Sequence, residues 1–210
     1  MSIKHELQDI ISGNGSVSFG KNIQAITHDL RRKKEAISKT KTEEYSKDQE
    51  TKALIEYISA NDLWYSELDE TKYIGEGAEQ KVYEYHEPHS VIKLNDAVFY
   101  AYWYDYLNSL LIHNFLFKEL AYELLGFNKI GDKLYAVVRQ LYVKATETTN
   151  LQHVRDFLIM NGFKNKKNND YYHPEIGIII EDLHDENVLS NEGVLQFIDT
   201  VIYLTDLFYE

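Results

Sequence analysis

Hydrophobic positions change their spacing along the chain, and each change marks a new kind of structure. Up to about residue 62 they recur at helical intervals: Leu7, Ile10 and Ile11 before Gly13-Asn-Gly15, then Phe19, Ile23, Ile26 and Leu30 before Arg31–Lys34, then Ala53, Leu54, Tyr57 and Ile58. Recurrence at three and four residues predicts amphipathic helices. Within them, residues 35–49 are rich in Lys, Thr, Ser and Glu and read as a polar linker. From Trp64 the pattern becomes that of strands around one helix. Lys72–Tyr85 bears glycines and then alternates, Pro88-His89 turns the chain, and Ser90–Leu94 returns as a strand. Asn95 or Asp96 is placed to cap a helix running to about Phe115, and Phe127–Gln140 reads as a hairpin around Gly131-Asp132.

The last third starts with a helix from Thr148 that stops at Asn161-Gly162, followed by a polar turn from Lys164 to Asp170. Ile176–Ile180 is an apolar, β-branched run of the kind that forms a buried strand. It ends in the polar cluster Glu181-Asp182-Leu-His-Asp-Glu-Asn187, and Asn191-Glu-Gly193 then turns the chain into Val194–Ile198 and Asp199. The expected class is α+β, in three parts: helical residues 1–62, a strand-rich segment at 63–143, and a short segment at 144–210.

Composition narrows the function. Of 210 residues 44% are hydrophobic, which is enough for a packed core. The net charge of −12 is uneven: residues 1–50 carry nine Lys/Arg against eight Asp/Glu, and the remainder thirteen against twenty-six. So acidic a main body argues against nucleic acid as its partner. There are no cysteines, which excludes disulfides and thiolate metal sites. No leader-like apolar core and no uncharged apolar run of membrane-spanning length is present, so a soluble cytoplasmic protein is expected, without a membrane partner.

The polar cluster holds the candidate chemistry. Asp182 precedes Asn187 by five positions, and Asp199 follows Asn187 by twelve across the hairpin, which brings it back beside Asn187. Asp and Asn are common loop residues in their own right, so the spacing needs support from elsewhere. Upstream, Gly75-Glu-Gly77-Ala-Glu-Gln80-Lys-Val82 precedes a strand bearing Val91-Ile-Lys93. Glycines let a backbone approach an anionic ligand closely, and a neighbouring lysine can neutralise phosphate oxygens. Taken alone, the two glycines read more readily as a strand bulge, with Lys93 snorkelling from an exposed face.

The order of these features resembles the protein-kinase-like superfamily: glycine loop, lysine strand, long helix, hairpin, helix, Asp loop and Ile-Asp. The wording Asp182-Leu-His-Asp-Glu-Asn187 is similar to the loop of aminoglycoside phosphotransferases. Over residues 72–200 the chain looks most like the short kinase-like domain of bacterial polyvalent proteins carried by mobile elements. The resemblance implies a two-lobed kinase-like fold with a small antiparallel β N-lobe, a truncated C-lobe and an N-terminal helical extension. It implies ATP and magnesium as cofactors and phosphoryl transfer to a hydroxyl of a protein or small molecule. Asp182 and Lys93 would be catalytic; Gly75, Gly77, Val82, Lys93, Gln140 and Tyr142 would hold the nucleotide; Asn187 and Asp199 would hold magnesium. Asp105, Glu119 and Glu123 all remain open as the acidic partner of Lys93.

Departures from the pattern matter too. Gln80 stands where a third glycine belongs, Ile180-Glu181 replaces His-Arg, and Thr200-Val201 replaces Phe-Gly. Residues 144–210 are short for a kinase's substrate lobe, so residues 1–62 or a partner would complete the acceptor site. The alternative within the fold is a catalytically inactive nucleotide-binding pseudokinase or interaction module, and transfer of AMP is a third possibility. A rival class is the His-Asp metal phosphohydrolase, suggested by His184-Asp185. That fold is all-helical, whereas this dyad follows a β-branched run, and His28-Asp29 shows that such pairs also arise elsewhere in the chain.

Overall fold

The computed structural model describes residues 2–40, 45–77, 80–85 and 89–210. Residues 41–44 of the polar linker, Ala78 and Glu79 of the glycine loop, and Pro88 of the Pro88-His89 turn lie outside the described residues. Three helices open the chain: α1 (Ile3–Ser12), α2 (Gly20–Thr40) and α3 (Lys47–Ala60). Next come β1 (Tyr73–Glu76), β2 (Gln80–Glu84), β3 (Ser90–Asn95), α4 (Trp103–Leu116), β4 (Glu123–Ile130) and β5 (Lys133–Leu141). The last third contains α5 (Leu151–Met160), β6 (Lys164–Lys167), β7 (Asp170–His173), β8 (Ile178–Glu181), β9 (Val188–Asn191), β10 (Val194–Phe197), β11 (Val201–Leu204) and α6 (Asp206–Tyr209).

The fold is α+β with small antiparallel sheets, as expected. One sheet runs β1-β2-β3-β5-β4, a second runs β11-β8-β7-β6, and β9 and β10 form a separate pair. Among the described residues no helix is long and apolar enough to cross a membrane.

Helix α4 is the member the others share. Ten of its fourteen residues are buried, so it is covered on nearly every side. Leu107 and Leu111 join a core with Ile23, Ile26, Leu30, Leu54 and Phe127. Ile112, one residue on, enters a second core with Leu7, Ile11, Ile178, Ile180 and Phe208. Thus α1 shares a buried core with the β8 strand that leads to Asp182. Two side chains of α1 tie it to the end of the chain: Lys4 Nζ donates to the Leu207 carbonyl (2.5 Å) and Gln8 Nε2 to that of Phe208 (2.6 Å).

Three local expectations changed, each for a visible reason. Asn95 and Asp96 do not cap α4. Their carboxamide and carboxylate oxygens accept from Ala97 N–H (2.7 Å) and Val98 N–H (3.1 Å), forming tight turns that compete with a helix start. The helix begins seven residues later and is capped from outside by Glu50 of α3, which accepts from Trp103 N–H (2.5 Å) and Tyr104 N–H (3.4 Å). In the polar linker, α2 continues through Glu35 to Thr40, while Ser46 and Gln49 form a reciprocal capping box at the start of α3. Pairing of Asp29 with Arg32 (3.0 Å) and Lys33 (3.3 Å) supports the middle of α2. Residues 164–170, read as a polar turn, form the β6–β7 hairpin.

Candidate functional site

At the end of β8 the chain turns sharply at Asp182, whose φ is +64°, in the left-handed region. The loop then winds tightly: His184 N–H donates to Asp182 O (3.0 Å), and Asn187 N–H (3.1 Å) and Val188 N–H (2.9 Å) donate to His184 O. Asn187 folds back onto Asp182, its Nδ2 donating to the Asp182 carbonyl (2.9 Å) and carboxylate Oδ2 (3.0 Å). That bond directs the Asn187 amide oxygen away from Asp182.

The β9–β10 hairpin closes the constellation. Its two turn residues, Glu192 (φ +50°) and Gly193 (φ +78°), both lie at positive φ, the requirement of the tight turn that matches strand twist. Register pairs Asn191 with Val194 and Val188 with Phe197. Just beyond it, Ile198 N–H (3.0 Å) and Asp199 N–H (3.2 Å) both donate to the carbonyl of Asn187. The twelve-residue spacing is therefore closed by two backbone bonds.

The five-stranded sheet approaches from the other side. Val82 lies opposite Lys93 and Gln80 opposite Asn95, so Gln80, Val82 and Lys93 project from one face. Lys93 is buried, and its Nζ donates to Ile198 O (2.7 Å) while lying 5.5 Å from the Tyr122 ring centre. Tyr122 OH donates to the same carbonyl (2.8 Å), and Gln80 Nε2 donates to Asp199 Oδ2. Burial raises the Asp199 carboxyl above its ordinary value; the positive charge of Lys93 opposes this, Asp182 adds to it, and His184 opposes it. Behind Asp199, Thr200 Oγ1 lies 2.8 Å from Nδ1 of buried His113, whose Nε2 is 3.1 Å from the Leu120 carbonyl. A carbonyl only accepts, so Nε2 carries the proton and Nδ1 accepts from Thr200. Burial pushes His113 down to about 3, keeping it neutral.

Between these walls lies a cleft of about 520 Å³. Of the residues expected to be catalytic, to bind nucleotide or to bind metal, Gly77, Asp182, Asn187 and Asp199 line it, and Lys93 reaches the carbonyl next to Asp199. The others sit apart from that lining. Gly75 pairs with Val82 across β1 and β2. Gln140 is buried and donates to Leu120 O (2.8 Å), and Tyr142 gives its N–H to His89 O (2.6 Å). Of the three acidic candidates, Glu123 pairs with Arg139 (2.5 Å), Glu119 with Lys118 (3.9 Å), and Asp105 lies in the field of Lys34 and Lys47.

Several contributors had no sequence signal. Phe99 and Tyr203 form one wall, joined by a bond from Tyr203 OH to Phe99 O (3.1 Å). Asp170 lines the cleft and accepts from Asp182 N–H (3.1 Å) across twelve residues of sequence. Gln80 stood out only as a missing glycine.

The donor set fits magnesium, which prefers hard oxygen ligands: a half-buried carboxylate at Asp199 and the amide oxygen of Asn187. Among the described residues no three His, Asp or Glu side chains converge as a metal cage. Magnesium held by one or two carboxylates together with substrate phosphates does not require one.

Residues 47–206 match the model of a family described as serine/threonine/tyrosine kinase found in polyvalent proteins. No curated protein and no solved structure matches the chain.

Proposed function

Since the chain belongs to the family of serine/threonine/tyrosine kinases found in polyvalent proteins, we propose that it is an ATP- and magnesium-dependent phosphotransferase acting on a hydroxyl of a protein or small molecule. One observation carries the reading: the hairpin closure that sets Asp199 beside Asn187 and Asp182, beneath Gln80 and Lys93. Phosphoryl transfer spreads negative charge over three oxygens, so catalysis is mainly positioning and charge stabilisation.

In this reading Asn187 and Asp199 hold magnesium, which supplies positive charge to the phosphates. Lys93 provides a second positive charge from a buried position, where it is weakly screened. Gly77 lets the loop approach the nucleotide closely. Asp182 is exposed at the cleft and already accepts a hydrogen bond from Asn187, so it orients and deprotonates the acceptor hydroxyl. The alternative, an inactive nucleotide-binding module, shares the binding steps and lacks turnover dependent on Asp182.

Thermal melting with Mg-ATP, Mg-ADP, ATP plus chelator, and buffer tests the binding half. At about a hundredfold excess over the dissociation constant, stabilisation is about 2.7 kcal/mol. For a chain of this size that is roughly 5–10 °C in Tm. The shift is expected to require magnesium and to vanish in Asp199→Ala. No shift with any nucleotide would refute the proposal.

A further inference from the structure

The turn at Asp182 is gripped from outside its own loop. Asp visits the left-handed backbone more readily than most side chains but still at some cost, so the groups that fix Asp182 bear on its role. Two of them come from the β6–β7 hairpin. The Asn169 carbonyl accepts from Leu183 N–H (3.2 Å), and Asp170 Oδ1 accepts from Asp182 N–H (3.1 Å). The hairpin turn is braced in its turn, with Asn165 Nδ2 donating to the carbonyls of Asn168 (2.8 Å) and Asp170 (3.2 Å). Two successive N–H groups at the bend of the Asp182 loop are thus held by two successive residues at the start of β7, the strand paired with β8 in the same sheet.

We propose that Asp170 is a positioning residue for phosphoryl transfer: its carboxylate holds the backbone of Asp182 in the bend that aims the Asp182 side chain into the cleft. This rests on the catalytic reading of Asp182 given above. Asp170 acts through Asp182 and is not itself a catalytic residue. If the bond is lost, Asn187 and His184 still hold the Asp182 carbonyl, while the N–H side of the same residue swings free. The expected effect is misdirection of the side chain, with the fold and the metal residues left in place.

The test compares wild type, Asp170→Ala, Asp170→Asn and Asp182→Asn. Amide hydrogen exchange is read by NMR at Asp182 and Leu183, and steady-state Mg-ATP hydrolysis is followed with water as acceptor. In Asp170→Ala, exchange at Asp182 should quicken while the melting shift with Mg-ADP persists. Its kcat should fall roughly 10- to 100-fold at unchanged KM, as expected for a small misplacement of a catalytic group. Asp170→Asn, which keeps an acceptor oxygen in place, should recover most of both. Unchanged exchange at Asp182 in the alanine variant, or an asparagine variant as impaired as alanine, overturns the proposal. If wild type hydrolyses nothing, or Asp182→Asn hydrolyses as fast as wild type, the catalytic reading falls instead. Exchange then decides by itself whether Asp170 holds the loop.

Discussion

Replacing Glu50 by Gln should change how stability depends on pH. The Glu50 side chain is 1% exposed and faces the N-terminus of α4, where two backbone N–H groups favour the charged form. Burial outweighs them and Asp105 adds to it, with Lys34 opposing, so the carboxyl is pushed up from 4.5 to about 7. Across that interval folded Glu50 keeps a proton that the unfolded chain has released. The folded state is therefore favoured fully below about pH 4.5, loses stability as pH rises toward 7, and changes little above it. The interval corresponds to about 3 kcal/mol, since each pH unit is worth about 1.4 kcal/mol. Gln is neutral throughout, so the stability of Glu50→Gln relative to wild type should improve by about 3 kcal/mol between pH 4 and pH 8. At about 2–4 °C per kcal/mol, the relative Tm should move by roughly 6–12 °C. Chemical denaturation at four pH values measures it directly. Parallel profiles for the two proteins would refute the argument; a variant that loses ground as pH rises would mean that the helix terminus outweighs burial. Because Asp105 is also raised by burial, the comparison is repeated in an Asp105→Asn background to separate the two carboxyls.

Other substitutions probe the site and its supports. Asp182→Asn should lower turnover by roughly 10²- to 10⁴-fold while Mg-ADP still raises Tm as in wild type; equal turnover would remove Asp182 from the chemistry. Thr200→Val removes the hydroxyl that donates to buried His113 and leaves an acceptor unpaired, so about 1–3 kcal/mol of stability should be lost in urea melts. Gly126 sits at φ +150° in the β4 bulge, with the Leu63 carbonyl 2.5 Å from where a Cβ would lie. Gly126→Ala should therefore destabilise by about 2 kcal/mol or more, and a Tm equal to wild type would contradict the close approach.

What could be read in the sequence was what the chain builds locally. The Ile178–Asp199 stretch is strand, loop and hairpin in succession, and a two-residue turn sets its register, so spacing alone placed Asp199 beside Asn187. The cap of α4 was hidden because Asn95 and Asp96 have the right chemistry and use it on their own backbone, while the group that caps the helix is 53 residues away. The β6–β7 hairpin was hidden for another reason. Lys164–Lys167 is exposed along its whole length and carries no alternation, so its strand conformation rests on pairing with β7. The acidic partner of Lys93 could not be chosen from sequence because two of the candidates answer to neighbours brought in by packing, Arg139 on β5 for Glu123 and Lys34 and Lys47 for Asp105.

The way α1 and α2 enter the two cores has a consequence for heredity. The family match begins at residue 47, yet Leu7, Ile11, Ile23, Ile26 and Leu30 are all 4% exposed or less. At about 1.5–3 kcal/mol for each buried side chain, removing these five withdraws roughly 10 kcal/mol, comparable to the whole stability of an ordinary domain. A gene fragment covering only the matched segment would thus encode a protein with an open wound along α4. Any version of this domain without the preceding two helices must supply substitutes that present the same greasy ridge.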